Sequence, residues 1–464
     1  MTVQPPDYAQ RRSHLVQIFQ AALRQVDPYR AIHNQVEISG SRMHIKTGTR
    51  NVTIDLASYE RVLLLGAGKA TAPMARAFEE LLGERLGSGF ICVKEGHGEA
   101  LQRVELTEAS HPVPDERGLA AAKRIVELAT AAAENTLVIT CISGGASALL
   151  PCPIDGNIVD GSTGLTLEDK QAATRELLRC GAGIAEINCV RKHLSALKGG
   201  GLLRLLAPAR SLNFILSDVI GDDLSSIASG MTCADPTTFT DALKIIDTYN
   251  LRCRLPKQII HVLEQGVKGE LEETLKPGDQ ALGLAENIII GSNRQALIAA
   301  AEKAHNLGYH SLAVTAQLEG EARYTARFLA AVGRDVAISD MLAKRPACLL
   351  FGGETVVTIT GNGKGGRNQE LALAFLQHLG SWPAEQRQAV SFLSGATDGN
   401  DGPTDAAGAF ADIELLQKAG ETELDLDDYL ANNDSYHFFD TIGGLLRTGP
   451  TNTNVCDLQM MLIH

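Results

Sequence analysis

Two long apolar runs in this chain end in glycine turns that pass straight into helical patterns, and this constrains the fold more than any other feature. Arg61-VLLLGAGKA and Thr136-LVITCISGGASALL are the two, and Leu212-NFILSDVIGDD passes in the same way into an acidic loop. Strands without polar alternation are those buried on both faces, as in parallel sheets covered by helices. With helical stretches between them, they predict mostly parallel, doubly wound α/β sheets. Such sheets bind ligands beyond the C-terminal ends of their strands. Five such ends carry unusual residues: Gly66-AGK, Ser143-GGAS, Ser217-DVIGDD, Gly352-GET and Ser394-GATDGND. Convergence of loops like these is what a substrate cleft between two domains requires.

At 464 residues the chain exceeds one ordinary core, so two domains are expected. They are drawn as 1–280 and 281–464, with the boundary placed between Pro236 and Ala285, where a charged helical stretch follows the first series. The run Asn287-IIIG is expected to open the second series, Thr355-VVTIT to form one of its strands, and Asp155–Gly164 to be a glycine-rich loop. The first helix is expected from Ser13 to Gln25. A net charge of −13 argues against nucleic acid and anionic membranes as partners. Nine scattered cysteines form no C-x-x-C pair, twelve histidines form no metal motif, and no apolar run reaches 18 residues. Neither a disulfide framework nor a zinc site is suggested, and the cytoplasm is the expected compartment.

Within this frame the polar clusters admit functional and ordinary readings. Lys364-GGRNQ closes a β-rich run on a glycine loop and opens a helix on Arg367, the layout of an anion site. Gly68-Lys69 ends the first strand. Lys69 falls on the first helical turn, where a cation is unfavourable unless an anion offsets the dipole. The same stretch fails the dinucleotide pattern G-x-G-x-x-G, because Thr71 holds the last position. Ser143, Gly144, Gly145, Ala146 and Ser147 read as a phosphate cradle or as a tight turn with close helix packing. Arg191, Lys192, His193 and Lys198 precede three glycines and read as an anion-holding face or as a solvated helix that ends there. Asp218, Asp222 and Asp223 could hold Mg²⁺ or accept a hydroxyl proton, while one of the last two caps a helix. Thr397-DGNDGPTD, with Asp398, fits a metal–phosphate or hydroxyl contact as well as a plain turn.

Taken in order, Gly66-AGKA, Ser143-GGASALL, His193-LSALKGGGL, Ser217-DVIGDDLSSIASG, Leu350-FGGETVVTITGNGKGGRNQELALAF and Ser394-GATDGNDGPTDAAGAF resemble the glycerate 2-kinases of the MOFRL family, sometimes annotated hydroxypyruvate reductases. The resemblance runs from about Ser13 to Ile463. It implies a two-domain α/β kinase, with a larger Rossmann-like N-terminal domain and a smaller MOFRL domain. The implied reaction moves the γ-phosphoryl of ATP to the 2-hydroxyl of D-glycerate, with Mg²⁺. By motif, Lys69, Asp218 and Arg367 are then the catalytic residues, and Ser143–Ser147 with Gly365 and Gly366 hold the nucleotide phosphates. Gly68, Arg191, Lys198 and Asp398 are expected at the substrate, and Asp222 and Glu354 at the metal. One departure stands at Met231, where the family usually has proline. The competing readings are an NAD(P)-dependent hydroxypyruvate reductase and a non-enzymatic ligand-binding relative. A monomer or homodimer is expected.

Overall fold

The computed structural model describes residues 6–47, 51–154, 164–340 and 342–464. The expected loop at Asp155–Gly164 lies outside these residues except for Gly164. The chain forms two compact units. The larger is Pro28–Ile290, and the smaller joins Met1–Asp27 to Gly291–His464.

The larger unit opens with a small antiparallel sheet, β1 (Val36–Ser39), β2 (Arg42–Lys46) and β3 (Asn51–Asp55), which the sequence reading did not anticipate. Its main sheet contains β4 (Arg61–Ala67), β5 (Leu86–Lys94), β6 (Val104–Ala109), β7 (Thr136–Ile142), β8 (Arg210–Leu216) and β9 (Ala285–Gly291), in the order β6-β5-β4-β7-β8-β9. The β4–β8 pairings are parallel, with Leu64 opposite Ile139 and Leu65 opposite Phe90. β4 and β7 are buried almost throughout, as their unbroken apolar runs require. The chain winds outward in both directions from β4 and β7, so the switch point lies between them. The run Asn287-IIIG is β9 and ends this first sheet instead of opening the second series.

Helix Thr71–Leu82 lies on the sheet through Met74 and Phe78, and the Phe78 ring tilts against Phe214 at 4.7 Å. Each such buried side chain contributes about 1.5–3 kcal/mol. A second cluster, built on Leu177, Val190, Phe239, Ile246 and Leu263, joins helices Leu167–Arg179, Ile184–His193, Phe239–Thr248 and Lys257–Val267. Thr166 with Asp169, and Thr238 with Asp241, form capping boxes that fix where two of these helices begin.

The smaller unit carries β10 (His310–Leu318), β11 (Ala347–Gly353), β12 (Val390–Ala396), β13 (Gly408–Asp412), β14 (Leu445–Leu446) and β15 (Asp457–Ile463), ordered β10-β11-β15-β12-β13-β14. The parallel sheet expected here is mixed. β10 and β11 are parallel, but β15 enters antiparallel to both β11 and β12, and β13 returns antiparallel to β12. Thr355-VVTIT is not a strand. Its amides at Thr358 and Thr360 are taken by side-chain oxygens of Glu321 and Asn433, which leaves one bridge between Glu321 and Val356. The first helix spans Tyr8–Gln25 and groups with this unit rather than with the residues that follow it. Arg12 forks onto Asp412 with two bonds of 2.6 Å, and Thr453 donates to the Val26 carbonyl at 2.6 Å. No helix among the described residues is long and apolar enough to cross a membrane.

Candidate active site

The strand ends of the larger unit bring several expected residues together. After β4 the chain turns at Gly68, and the Lys69 amide donates to the Gly144 carbonyl at 2.9 Å. The buried Ser143 hydroxyl accepts from the Ala70 amide at 3.0 Å and lies 3.2 Å from the Thr71 hydroxyl. Ser143 therefore ties β7 to the first turn of helix Thr71–Leu82, which is a positioning task. Gly144 lies directly under Asp218, and a Cβ there would collide with its carboxylate. A Cβ on Gly145 would sit 3.5 Å from the Lys69 side chain and 3.1 Å from the His111 ring. These two glycines bring the backbone up to Asp218, Lys69 and His111. Burial, reinforced by Lys69, Lys94 and His97, pushes the His111 imidazole down to about 4.

Beside this group is a pocket of about 610 Å³, lined by His111, Gly145, Ser147, Lys170, Arg175, Arg191 and Lys198 among others, with no carboxylate among its lining side chains. Lys198, at 3% exposure, donates to the Ser147 carbonyl at 2.5 Å. The Ser147 hydroxyl meets Ser229 at 2.9 Å. Ala228 and Ser229 both have positive φ, at 52° and 59°, a strained conformation of the kind that gathers at functional sites. Met231, where proline was the usual expectation, is buried in the main core. Lys192 is spent on a buried ion pair with Asp235 at 3.2 Å, and His193 faces Glu273 at 3.3 Å.

Of the acidic residues after β8, neither Asp222 nor Asp223 caps a helix with its side chain; Asp223 closes a turn. It accepts from the Ser225 amide at 3.1 Å and from the Ser226 hydroxyl at 2.7 Å. Asp222 stands at φ 57° in the same turn. Among the described residues, no group of three or more His, Cys, Asp or Glu could hold a metal ion.

In the smaller unit, the glycine loop before Arg367 is occupied by the protein itself. The amides of Asn362, Gly363 and Lys364 donate to Asn432 and Asp434 at 2.9–3.0 Å. Gly365 packs on the Ser435 hydroxyl and Gly366 on Asp401, where side chains would collide. Asp401, 2% exposed, accepts from the Asn368 and Gln369 amides at 3.1 and 2.8 Å. The anion at this helix N-terminus is thus a carboxylate of the chain. Arg367 forks onto Asp457 at 2.5 and 2.9 Å and reaches Glu354 at 2.5 Å. Burial opposes its charge, but Asp457, Glu354 and Asp401 outweigh burial and hold its pKa above the ordinary value. Asp457, fully buried, is pushed up to about 7 by burial against the pull of Arg367. Glu354, expected at a metal, is here an arginine partner. Asp398 accepts from the Asn400 amide at 3.1 Å, as a turn residue does.

Known proteins resemble this chain over most of its length. A domain of unknown function, DUF4147, matches residues 14–264, and the MOFRL family matches 347–457. The chain is 38% identical to a glycerate 2-kinase of Pyrococcus horikoshii over 95% of each chain. It is 40% identical to a D-glycerate 2-kinase of Thermotoga maritima over 89% of this chain and 93% of that one. The chain belongs to the MOFRL-type glycerate kinase family. The crystal structure of a Thermotoga maritima glycerate kinase superposes with a TM-score of 0.84, at 36% identity, over 98% of this chain and all of that one.

For a member of this glycerate kinase family, sequence reasoning singles out Lys69, Asp218 and the Ser143–Ser147 turn because each follows a strand end, and the structure brings them close together. It gives no separate role to Lys170, Asp401 or Asp457 and reads His111 as structural. Lys170 lies inside a charged amphipathic helix with nothing local to mark it. The two aspartates look like any turn or strand-end acid until burial sets them apart.

Proposed function

We propose that the chain transfers the γ-phosphoryl of ATP to the 2-hydroxyl of D-glycerate, giving 2-phosphoglycerate and ADP with Mg²⁺. The observation that carries this reading is the carboxylate-free cationic pocket beside Lys69 and Asp218 at the switch point of the parallel sheet. Phosphoryl transfer needs positioned cations and backbone donors more than covalent chemistry. In the proposed reaction the glycerate 2-oxygen bonds to the γ-phosphorus as the bond to the β-bridging oxygen breaks. ADP leaves with that oxygen, and the hydroxyl proton passes to Asp218. Lys69 neutralises charge on the moving group. Mg²⁺, when bound, neutralises the phosphate oxygens. Such an ion takes one or two protein carboxylates plus phosphates, a role that Asp222 after β8 would fill and that Glu354 fits less well while it pairs with Arg367.

The names of the relatives support the acceptor. The test is an assay with D-glycerate, ATP and Mg²⁺, followed by ³¹P NMR of the product. Stoichiometric ADP with the phosphorus signal on the 2-carbon is expected. NADH oxidation by hydroxypyruvate without ADP formation sinks the reading, and a signal on the 3-carbon overturns its regiochemistry. Lys69→Ala should lower turnover by roughly three orders of magnitude or more.

A further inference from the structure

The smaller unit carries an apolar surface that neither its own core nor the proposed reaction uses. Of the thirteen large apolar side chains exposed among the described residues, nine fall within residues 298–359. A concentration of this kind marks an interaction surface, where scattered single residues would not. Helix Ala322–Ile338 is its ridge. The inner face of this helix, with Leu329, Ala330 and Val336 buried, covers the sheet, and Gly333 sits against the Met461 side chain. Its outer face repeats Tyr324, Phe328, Ala331, Asp335 and Ile338, at intervals of 4, 3, 4 and 3 residues. That is the seam spacing of a coiled coil, carried on the solvent side of a helix whose other side is already packed. Tyr324 is 72% exposed, Phe328 59% and Ile338 56%. The surface continues onto β10, the outermost strand of its sheet. Leu312 shares a row with Leu349 and Met461, so it lies on the sheet face that this helix covers, yet it stays exposed.

The charges of the ridge say what covers it. Asp335 is the one charged residue in the seam, and a carboxylate in an apolar contact is costly unless a cation meets it. A two-fold axis at Ala331 between antiparallel copies of the helix sets positions equally far before and after Ala331 opposite one another. Asp335 then meets Arg327 of the second copy, Arg334 meets the Phe328 ring, and Tyr324 meets Ile338. Ile338 lines a groove of about 540 Å³ with Ala331, Arg334 and Trp382, which is open to receive the Tyr324 ring. Each of these pairs is complementary, so the ridge matches itself. The helix has three arginines and one aspartate, a net +2 in a chain of −13, so two copies repel least where these helices approach. Tyr324, Phe328 and Ile338 offer about 350 Å² of surface, and Leu312, Val314 and Val356 raise it to about 550 Å². The arginine flanks bring the contact near the roughly 800 Å² per partner of a stable interface. We propose that the chain forms an isologous homodimer through antiparallel packing of helix Ala322–Ile338 on its two-fold mate. β10 bulges after Ala313 and after Thr315, so side chains make the contact at that edge and no strand is added to the sheet. The inference is independent of the reaction the protein catalyses.

Sedimentation equilibrium of the full-length protein at about 1–50 µM tests it, the upper end of the affinity range for interfaces of this size. The wild-type protein should sediment at twice the chain mass of 49.4 kDa. Phe328→Glu changes the ridge in both copies and should weaken the dimer by about a hundredfold or more. Arg327→Glu sets an acid against Asp335 at both ends of the seam and should weaken it about tenfold. Adding Asp335→Arg to Arg327→Glu exchanges the pair and should return the affinity to within about threefold of the wild type. These side chains lie on the outer face, so the circular dichroism spectrum should be retained in every variant. A wild-type monomer throughout overturns the proposal and would leave the ridge to an unlike partner. A dimer indifferent to Phe328→Glu overturns it as well, because the copies would then be joined elsewhere. A dimer broken by Arg327→Glu and not restored by the exchange overturns the two-fold arrangement about Ala331.

Discussion

Under the proposed reaction, with the nucleotide phosphates at the Ser143–Ser147 turn, Lys170 of the adjoining pocket makes nucleotide affinity a function of pH. In the free protein burial lowers its pKa to about 7, Arg191 adds repulsion, and Cys152 opposes them. The other charged or titratable groups facing the pocket are Lys198, Arg175, Arg191 and His111. His111, at about 4, is neutral throughout the range that matters, and the arginines stay cationic. A bound polyphosphate restores the Lys170 charge, so binding above pH 7 takes up a proton. The free-state pKa is the lower one, so affinity is full below about pH 7 and declines as pH rises toward the bound-state value. At about pH 9, two units above the free-state value, protonation costs about 2.7 kcal/mol, or roughly a hundredfold in affinity. The ligand does not mask this, because a terminal phosphate has lost its last proton by about pH 7. Titrations between pH 7 and 9, each in two buffers of different ionisation enthalpy, count the proton directly. At least one proton taken up and at least a tenfold loss per pH unit are expected, Lys198 adding to the Lys170 share because its own pKa is lowered too, with both effects reduced in Lys170→Met. Flat affinity without proton uptake in the wild-type protein would refute the reasoning. The same shift acts on folding: the unfolded chain keeps the proton between about pH 7 and 10.4, so this group makes the ligand-free protein more stable as pH rises through that window.

Arg367→Ala leaves the fully buried Asp457 carboxylate without its bidentate partner, and chemical denaturation should show a loss of about 3–5 kcal/mol. An unchanged midpoint would mean that Asp457 is held by something other than Arg367. Asp401→Ala exposes the Asn368 and Gln369 amides at the start of helix Arg367–Gly380 and should cost about 1–3 kcal/mol in the same assay. Gly144→Ala pushes a methyl into the Asp218 carboxylate, and kcat should fall about a hundredfold while the circular dichroism spectrum is retained. Retained kcat would take Asp218 out of the reaction.

Local signals carried the fold wherever burial was two-sided. β4 and β7 announced themselves by unbroken apolar runs, and helix Thr71–Leu82 by the glycine turn before it. Local signals failed where a strand's partner is distant. β9 resembles the start of a new sheet because nothing in Asn287-IIIG says which sheet it completes. β15 reverses the second sheet because its position between β11 and β12 depends on the tertiary path. Thr355-VVTIT has strand composition, but Glu321 and Asn433 claim its amides.

The sequence by itself determined the class of fold, the strand ends with glycine and polar turns, and the kind of residue found there, because each depends on neighbours along the chain. Only the tertiary structure decided what those residues face. The glycine loop at Lys364–Gly366 reads as an anion cradle, yet folding fills it with Asp401 and the 432–435 segment. The anion-ready surface is instead the pocket of Lys170, Arg191 and Lys198, assembled from separate helices whose charges look merely solvated in sequence. Burial separates the two cases: a charge acquires a demand for a partner only when water is removed from it, and water is removed by packing between residues far apart in the chain.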